Sequence, residues 1–245
     1  MEETVLVVNC GSSSLKIALF DARHRKLASA LAERLNQSDA FARIKGDRES
    51  LPLNPGASHE QALETLVSTF RERRLIASAP TAVGHRVVHG GETFSEAVLI
   101  NDDVISAIED CAGLAPLHNP VNLSGIRATR RLFPGTPQTA VFDTAFHQTL
   151  PRRAFLYAVP ESWYRDWGVR RYGFHGTSHA FMAIEAARLL GKTPATTSVI
   201  SAHLGNGCSI TAIRDGISVD TSMGLTPLEG LVMGCLLYTS PSPRD

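Results

Sequence analysis

A turn rich in small hydrogen-bond donors follows the first apolar segment of the chain. Residues 4–16 read TVLVVNCGSSSLK, in which β-forming residues stop at Asn9 and are followed by a glycine, three serines and Lys16. Free backbone N–H groups, serine hydroxyls and a lysine ammonium all bind anionic oxygen atoms. The residue order is not that of a GxxxxGK[ST] loop. The turn therefore predicts a phosphate contact, with a plain hairpin turn and solvated serines as the alternative.

A second segment repeats this arrangement. VLVVNCGSSSLKIALFD lies over VISAHLGNGCSITAIRD without a gap, so that Val5 meets Val199 and Gly11 meets Gly205, a constant shift of 194 positions (199 − 5). The second turn contains an Asn-Gly dipeptide, for which a plain type I′ hairpin turn is the alternative. Short β-rich segments also resemble each other by chance. A true repeat predicts two domains of similar topology whose polar turns face a shared cleft and grip a triphosphate.

Polar residues also stand where other apolar segments end. Arg86 lies in GHRVVHGG, His118 and Asn119 lie in LAPLHNP, and Asp143 lies in AVFDTAFH. Active sites of α/β proteins gather at strand ends. Any one of these residues is more often structural than catalytic, but several on different strands predict a cleft.

Two histidine pairs have a spacing that can hold a metal on a helix. His85 and His89 are four residues apart, and so are His175 and His179. The first pair lies in a predicted strand and the second begins before a predicted helix, and neither has the glutamate of HExxH. The four cysteines form no CxxC pair, which favours reduced thiols over a zinc site or disulfides. A zinc hydrolase is the weakest of the functional alternatives.

The pattern of apolar residues predicts strands that alternate with helices, an α/β fold with a mixed or largely parallel sheet. Predicted strands include TVLVVN, LKIALFD, TAVGHRVVHGG, QTAVFDTAFH and AFLYAVP. Ser58 and Gln61 form a predicted capping box at the start of the first helix. The predicted helices are SHEQALETLVSTFRERRL, NDDVISAIEDC, VNLSGIRATRRLF and GTSHAFMAIEAARLLG, the last closed by Gly191.

Composition and charge exclude several classes of protein. The 245 residues are 43% apolar, enough for one large domain or two small ones. Lys plus Arg and Asp plus Glu are 24 each, which disfavours a protein that binds nucleic acid or acidic membranes. No apolar run approaches the roughly 20 residues of a membrane span. Glu2 and Glu3 precede the first apolar run, where a secretory signal has positive charge, so a cytoplasmic protein is expected.

Seven stretches occur in the order and spacing of the acetate kinase family, which the chain resembles from its N-terminus to about Gly234. They are NCGSSSLK, GHRVVHGG, LAPLHNP, VFDTAFH, RRYGFHGTSH, HLGNGCS and DTSMGLTPLEGLVMG. The resemblance implies a duplicated actin-like fold of the ribonuclease H and sugar-kinase type. It also implies reversible, Mg²⁺- or Mn²⁺-dependent phosphorylation of acetate by ATP, giving acetyl phosphate and ADP, in a protein that forms a homodimer.

The same resemblance implies roles for individual residues at the phosphates and the metal. Asn9 is expected near the metal and the phosphates, and Asp143 is the active-site aspartate, which we expect to hold the metal rather than to transfer a proton. The nucleotide-binding residues implied are Ser12, Ser14, Lys16, His203, Leu204, Gly205, Asn206 and Gly207.

Further roles concern the acceptor and the transition state. By resemblance, Arg86 holds the carboxylate or the transferred phosphoryl group, and His175 stabilises the transition state. His118 lies beside the acyl pocket and assists catalysis. The residues implied for the methyl pocket are Val88, Leu117, Phe174 and Pro227. An acetate-like acceptor is already ionised at neutral pH, so cations and donors around a charge-spread transition state matter more than a strong base.

The chain departs from the family pattern after Gly234. Leu236 stands where the family has a second catalytic arginine, and residues 235–245 read CLLYTSPSPRD, a Pro- and Ser-rich stretch interpreted as a non-native, disordered tail. The expected domains are 1–150 and a partial second domain at 151–234. Losing one electrostatic donor costs on the order of 10² to 10³ in rate, so little or no kinase activity is expected. An incomplete second domain has exposed strand edges, so poor solubility is expected as well. Propionate kinase and a non-catalytic fragment of the fold are the alternatives.

Overall fold

The structure is a computed structural model, described here for residues 3–234, and these residues form two compact units. Unit 1 comprises residues 3–87 and 97–141, and unit 2 comprises residues 88–96 and 142–234. The expected domains 1–150 and 151–234 stay a prediction. The expectations for Leu236 and the tail 235–245 lie outside the described residues.

Unit 1 is built on a mixed sheet. Its strands are β1 (Thr4–Cys10), β2 (Ser14–Asp21), β3 (Lys26–Glu33), β4 (Phe41–Ile44), β5 (Leu51–Pro52), β6 (Ala82–Val87), β7 (Val98–Leu99) and β8 (Gln138–Phe142). They lie in the order β5-β4-β3-β2-β1-β6-β8-β7. β1 pairs antiparallel with β2 and parallel with β6, which brings the first and sixth strands side by side.

Unit 1 contains the three helices that the sequence predicted, although the third begins two residues before the predicted Val121. They are α1 (His59–Glu72), α2 (Asp102–Asp110) and α3 (Asn119–Leu132). The Ser58–Gln61 capping box that starts α1 is confirmed, with both reciprocal hydrogen bonds present. Asn101 caps α2, and its side-chain oxygen accepts from the amide of Val104 at 2.9 Å.

One face of the unit 1 sheet packs on α1 and α3, because strand residues alternate between the two faces. Leu6, Val8 and Cys10 of β1 point to the helices and are buried, as are the odd-numbered residues of β2 from Leu15 to Leu19. Val7 and Asn9 point to the other face, which carries an open groove of about 470 Å³.

Unit 2 contains three further helices and a three-stranded sheet. The helices are α4 (Arg152–Phe155), α5 (Glu161–Trp167) and α6 (Gly176–Leu189). The strands β9 (Val199–Leu204), β10 (Cys208–Arg214) and β11 (Ile217–Thr221) lie in the order β11-β10-β9. The strand predicted at AFLYAVP is wrong, since its first residues end α4 and the rest follow without strand pairing. No helix of residues 3–234 is both long and apolar enough to cross a membrane.

The two hairpins of the predicted repeat are both present, but their registers differ by one residue. In unit 1, Val5 pairs with Phe20; in unit 2, Val199 pairs with Ile213 rather than with Arg214, the position that the gap-free alignment predicts. A shift of one residue moves side chains to the opposite face of a sheet. The gap-free alignment is therefore wrong after the turn, because the second turn is one residue shorter.

One face of the unit 2 sheet is apolar and exposed. Before the turn the shift of 194 positions holds (200 − 6), so Ile200 and Leu204 match Leu6 and Cys10 of unit 1. Leu6 and Cys10 are 0% and 3% exposed beneath the helices of unit 1, whereas Ile200 and Leu204 are 79% and 75% exposed. Equivalent strand positions thus have opposite solvent environments in the two units.

Candidate active site

Three polar residues of unit 1 lie side by side on neighbouring strands. Asn9 of β1 pairs with Lys16 of β2 and with Arg86 of β6, so the three side chains share the face that carries the open groove. Nη1 of Arg86 donates to Oδ1 of Asn9 at 3.2 Å. The sequence analysis predicted these residues near one another. In the structure they form one row across three strands, in which Lys16 and Arg86 are the charged members.

The turn after β1 is held by contacts with distant parts of unit 1. Nε2 of His59 donates to the carbonyl of Gly11 at 2.7 Å, and Nδ2 of Asn122 donates to the carbonyl of Cys10 at 2.8 Å. Burial lowers the pKa of His59, while its backbone hydrogen bonds oppose that shift. Ser12 is exposed and Ser14 half-buried, so hydroxyls remain at the surface of a fixed turn. Sequence analysis did not identify His59, which lies 48 residues from the glycine that it contacts.

In unit 2, Asp143 lies against the beginning of α6. The amide of Gly176 donates to the carbonyl of Asp143 at 2.9 Å, and a Cβ at position 176 would overlap that carbonyl, so this position requires glycine. The Asp143 side chain is buried. His175 precedes α6 in a left-handed conformation (φ 57°), which is uncommon outside glycine. Its ring is thereby placed at the positive end of the helix dipole, where anions bind favourably.

Four histidines of unit 2 form a connected group with serine hydroxyls. The rings of His175 and His203 stack with centroids 4.0 Å apart, and those of His147 and His179 meet edge to face at 5.8 Å. Nδ1 of His203 lies 2.9 Å from Oγ of Ser178. The predicted pair His175 and His179 is joined through the hydroxyl of Ser209, which lies 2.9 Å from Nδ1 of His175 and 2.8 Å from Nε2 of His179.

Burial keeps the inner histidines uncharged near neutral pH. Desolvation lowers the pKa of His147 to about 4, and a hydrogen bond to the Phe174 carbonyl only partly offsets this. The pKa of His179 falls to about 3, chiefly through burial and then through the neighbouring histidines. These rings therefore act as neutral hydrogen-bond donors and acceptors.

The second hairpin turn, 205–207, is closed by a hydrogen bond from the amide of Gly205 to the carbonyl of Gly207 at 3.1 Å. Neither Asn206 nor Gly207 has a positive φ, so the turn is not type I′. A Cβ on Gly207 would lie 3.2 Å from Nε2 of His175, so the turn backbone runs directly beside that nitrogen. Of the predicted nucleotide-contacting residues, His203 stacks on His175, whereas the Leu204 side chain faces solvent.

The predicted acyl-pocket residues are divided between the units. Val88 and Phe174 are buried in unit 2, and Pro227 is half-buried there. Leu117 and His118 belong to unit 1, where Leu117 is largely exposed.

Arg171 holds the segment 221–230 that carries Pro227. Its Nη1 donates to the carbonyls of Thr221, Ser222 and Met223 at 3.0–3.2 Å. Nη2 pairs with Glu229 at 3.0 Å. Sequence analysis missed this contact, although an Arg-Arg pair one residue before the GFHGTSH motif could have indicated it.

Within residues 3–234 the structure contains no group of three or more His, Cys, Asp or Glu residues arranged to hold a metal ion. Asn9 and Asp143, the predicted metal ligands, lie in different units.

Comparison with known proteins gives a consistent result. The Acetokinase family profile matches residues 4–236. The acetate kinase of Shewanella loihica is 57% identical over 234 residues, covering 94% of the chain and 59% of the relative. Solved structures of a Francisella tularensis propionate kinase and the Porphyromonas gingivalis acetate kinase are 46% and 44% identical, with TM-scores of 0.89 and 0.86. Each covers 95% of the chain, which spans 60% of either protein. The predicted actin-like α/β fold is confirmed.

Proposed function

The chain belongs to the acetokinase family, and from this premise we propose that the protein transfers the γ-phosphoryl group of ATP to acetate, forming acetyl phosphate and ADP reversibly. The observation that carries the proposal is the profile match over residues 4–236, a range that includes every residue assigned to the site. Because the chain spans about 59% of the Shewanella relative, the activity is proposed for the whole protein.

The row of polar residues in unit 1 supports a role in binding anionic oxygen atoms. The Arg86 guanidinium can hold a carboxylate or a phosphoryl group through two parallel hydrogen bonds, and Asn9 orients it through the contact at 3.2 Å. Lys16 adds a point charge on the adjacent strand. These groups offset the repulsion between a carboxylate acceptor and the phosphates of ATP, which is the main barrier to bringing the reactants together.

The start of α6 supports a role in stabilising the transferring phosphoryl group. His175, the helix N-terminus and the turn 205–207 lie together in unit 2, and all three present N–H donors or partial positive charge. A loose transition state spreads charge over the equatorial phosphoryl oxygens, which such donors stabilise. His175 donates a hydrogen bond there and takes no proton from the acceptor, which is already ionised.

Magnesium or manganese is part of the proposal, with Asn9 and Asp143 as ligands. Both offer oxygen atoms, the ligand type that Mg²⁺ prefers, and the Asp143 carboxylate is buried. When bound, the metal would neutralise charge on the nucleotide phosphates. Apart from holding it, Asp143 fixes the start of α6 through its carbonyl.

Propionate is the second candidate acceptor, favoured by the TM-score of 0.89 with the Francisella propionate kinase. Val88, Phe174 and Pro227 in unit 2 and Leu117 in unit 1 are proposed as the acyl pocket. One methylene is worth about 1–3 kcal/mol in an apolar pocket, so selectivity of about 10–200-fold is expected. Comparing kcat/KM for acetate and propionate decides between them.

The remaining proposals concern the cellular location, the oligomeric state and the activity of the chain by itself. We propose a cytoplasmic homodimer. We also propose that the 245-residue chain by itself is impaired, because Leu236 replaces a catalytic arginine of the family pattern. The alternative is that the chain alone is a non-catalytic fragment of the kinase fold.

The test compares the chain with a chimera that joins residues 1–234 to the remaining C-terminal part of the Shewanella loihica enzyme. Acetyl phosphate, trapped as the hydroxamate, is measured with ATP and acetate. We expect turnover by the chimera and a far lower rate from the chain alone. In the chimera, Arg86→Ala should lower kcat/KM by about 10² to 10³-fold, whereas Arg43→Ala, an exposed arginine on the same sheet face, should leave it nearly unchanged. A folded chimera without acetate-dependent product would refute the proposed function.

A further inference from the structure

An unbroken chain of hydrogen bonds runs from the core of unit 2 to His175. Oγ of Ser201 lies 3.1 Å from Nδ1 of His179, and Nε2 of His179 lies 2.8 Å from Oγ of Ser209. That hydroxyl in turn lies 2.9 Å from Nδ1 of His175. His179 and Ser209 are completely buried, and Ser201 nearly so. Water therefore cannot readily replace any link.

The donor and acceptor of each link follow from the far end of the chain. In the part of the protein that the structure describes, the Ser201 hydroxyl has one hydrogen-bonding group in reach, Nδ1 of His179. A buried hydroxyl that does not donate leaves an unsatisfied donor, which is costly. Ser201 therefore donates to Nδ1 of His179. Neutral His179 must then carry its proton on Nε2 and donate it to Ser209.

Ser209 has a single proton and two histidine neighbours. Since it accepts from His179, its own proton goes to Nδ1 of His175. Neutral His175 then carries its proton on Nε2, the nitrogen that lies beside the turn 205–207.

A neighbouring histidine has the same kind of serine contact, with a tautomer that its other partner determines. Nε2 of His147 lies 3.0 Å from the carbonyl of Phe174, which can only accept, so His147 is protonated on Nε2. Its Nδ1 then accepts from Ser218 at 2.8 Å. A serine that donates to Nδ1 is thus already present in this core, and the low pKa of His179 agrees with a neutral ring that can accept in the same way.

We propose that Ser209, His179 and Ser201 form a relay of positioning residues that fixes the tautomer of His175, so that its Nε2–H points to the turn 205–207 as a donor for a phosphoryl oxygen. The donor role rests on the proposed function, whereas the tautomer does not. The three relay residues act only through His175 and do not contact the phosphoryl group themselves.

The test reads the tautomers directly by two-dimensional ¹H–¹⁵N spectroscopy of the chain labelled with ¹⁵N-histidine, at pH 7.5. We expect the Nε2–H tautomer for His175 and His179, with His147 as the internal reference. A proton on Nδ1 of either His175 or His179 would overturn the relay, whatever the behaviour of any variant.

Substitutions test whether Ser201, at one end of the relay, affects the tautomer of His175 at the other end. Ser209→Ala and Ser201→Ala should each shift the tautomer ratio of His175 by about fivefold, the effect of losing one hydrogen bond of ordinary strength. Ser201 does not contact His175, so it reports transmission through His179 even where Ser209→Ala fails to fold. Ser218→Ala, which removes a hydroxyl from His147 only, should leave His175 unchanged. An unchanged ratio in a folded Ser201→Ala chain would contradict the proposal.

Kinetics of the chimera separate this proposal from the proposed function. Ser209→Ala should lower kcat by about 5–10-fold with KM for acetate unchanged, because the relay acts on a transition-state donor. An inactive chimera with the expected tautomers would refute the kinase function and leave the relay standing. An active chimera whose His175 carries its proton on Nδ1 would refute the relay alone.

Discussion

Acidification should destabilise unit 1 through His85 of β6. This ring is almost completely buried, and Nε2 lies 2.9 Å from Oε1 of Gln138 and 3.2 Å from Oγ1 of Thr129. Burial lowers the pKa of His85 to about 4, while the hydrogen bond with Gln138 partly opposes the shift. Below pH 6.5, where an exposed histidine is protonated, the unfolded chain binds a proton that the folded chain does not.

The size of the effect follows from the two pKa values. The lowered pKa means that the stability is fully present above about pH 6.5 and is lost as the pH falls toward 4. Between pH 7.5 and pH 5 the loss attributable to this one group is about 2 kcal/mol. Replacing it by His85→Gln should remove that part of the pH dependence, whatever constant penalty the substitution adds.

Amide hydrogen exchange in β6, corrected for the intrinsic effect of pH, measures the opening free energy where His85 lies. Between pH 7.5 and pH 5 this free energy should fall by about 2 kcal/mol more in the parent chain than in His85→Gln. His24→Asn, at an exposed position with positive φ, should behave like the parent. The reasoning is refuted if parent and His85→Gln lose the same amount of stability over this range.

Three further predictions concern packing and thiol reactivity. Gly125→Ala should destabilise unit 1 by roughly 1–3 kcal/mol in urea unfolding, since its Cβ would lie 2.6 Å from Sγ of Cys10. Arg171→Ala should accelerate amide exchange across 221–230, because several carbonyls of that segment lose their donor. Alkylation should modify Cys10 last and Cys208 earlier, because burial raises the pKa of Cys10 to about 12 and excludes the reagent.

Each of these has a simple control. Gly113→Ala, where no atom lies within 4 Å of the new Cβ, should leave unfolding almost unchanged, and equal effects at the two glycines would contradict the packing argument. Exchange in β1 should not respond to Arg171→Ala. Cys10 reacting as fast as Cys208 in the folded chain would show that the first strand is accessible to reagents.

Local signals in the sequence predicted most helices, but not the short segments between them. The start of α1 followed from the capping box at Ser58, and the helix predicted from Gly176 is α6, which begins at that residue. The strand expected at AFLYAVP failed because α4 has too few residues for helical periodicity to be visible. The one-residue difference in register between the two hairpins could not be predicted from the sequence either. The register depends on the hydrogen bonds across each turn and not on the composition of the strands.

Motifs identified the candidate site residues but not their supports. Ser201, Ser209 and His179 meet across 22 to 30 positions of sequence, and His59 reaches a carbonyl 48 positions away. Such contacts depend on how strands and helices pack, which single-sequence patterns do not encode. The spacing of four residues between His175 and His179 was visible, but the hydroxyl that joins them belongs to Ser209 of β10, far along the sequence.

The exposed apolar face of the β9–β10 hairpin affects the solubility of this protein. Among residues 3–234 this face carries the exposed side chains of Ile200, Leu204 and Ile210, and β9 is an edge strand of the sheet that they form. Exposed apolar side chains beside a strand edge favour the binding of a second chain. High protein concentration therefore favours aggregation. A charged residue in place of Ile200, the most exposed of these side chains, should reduce aggregation.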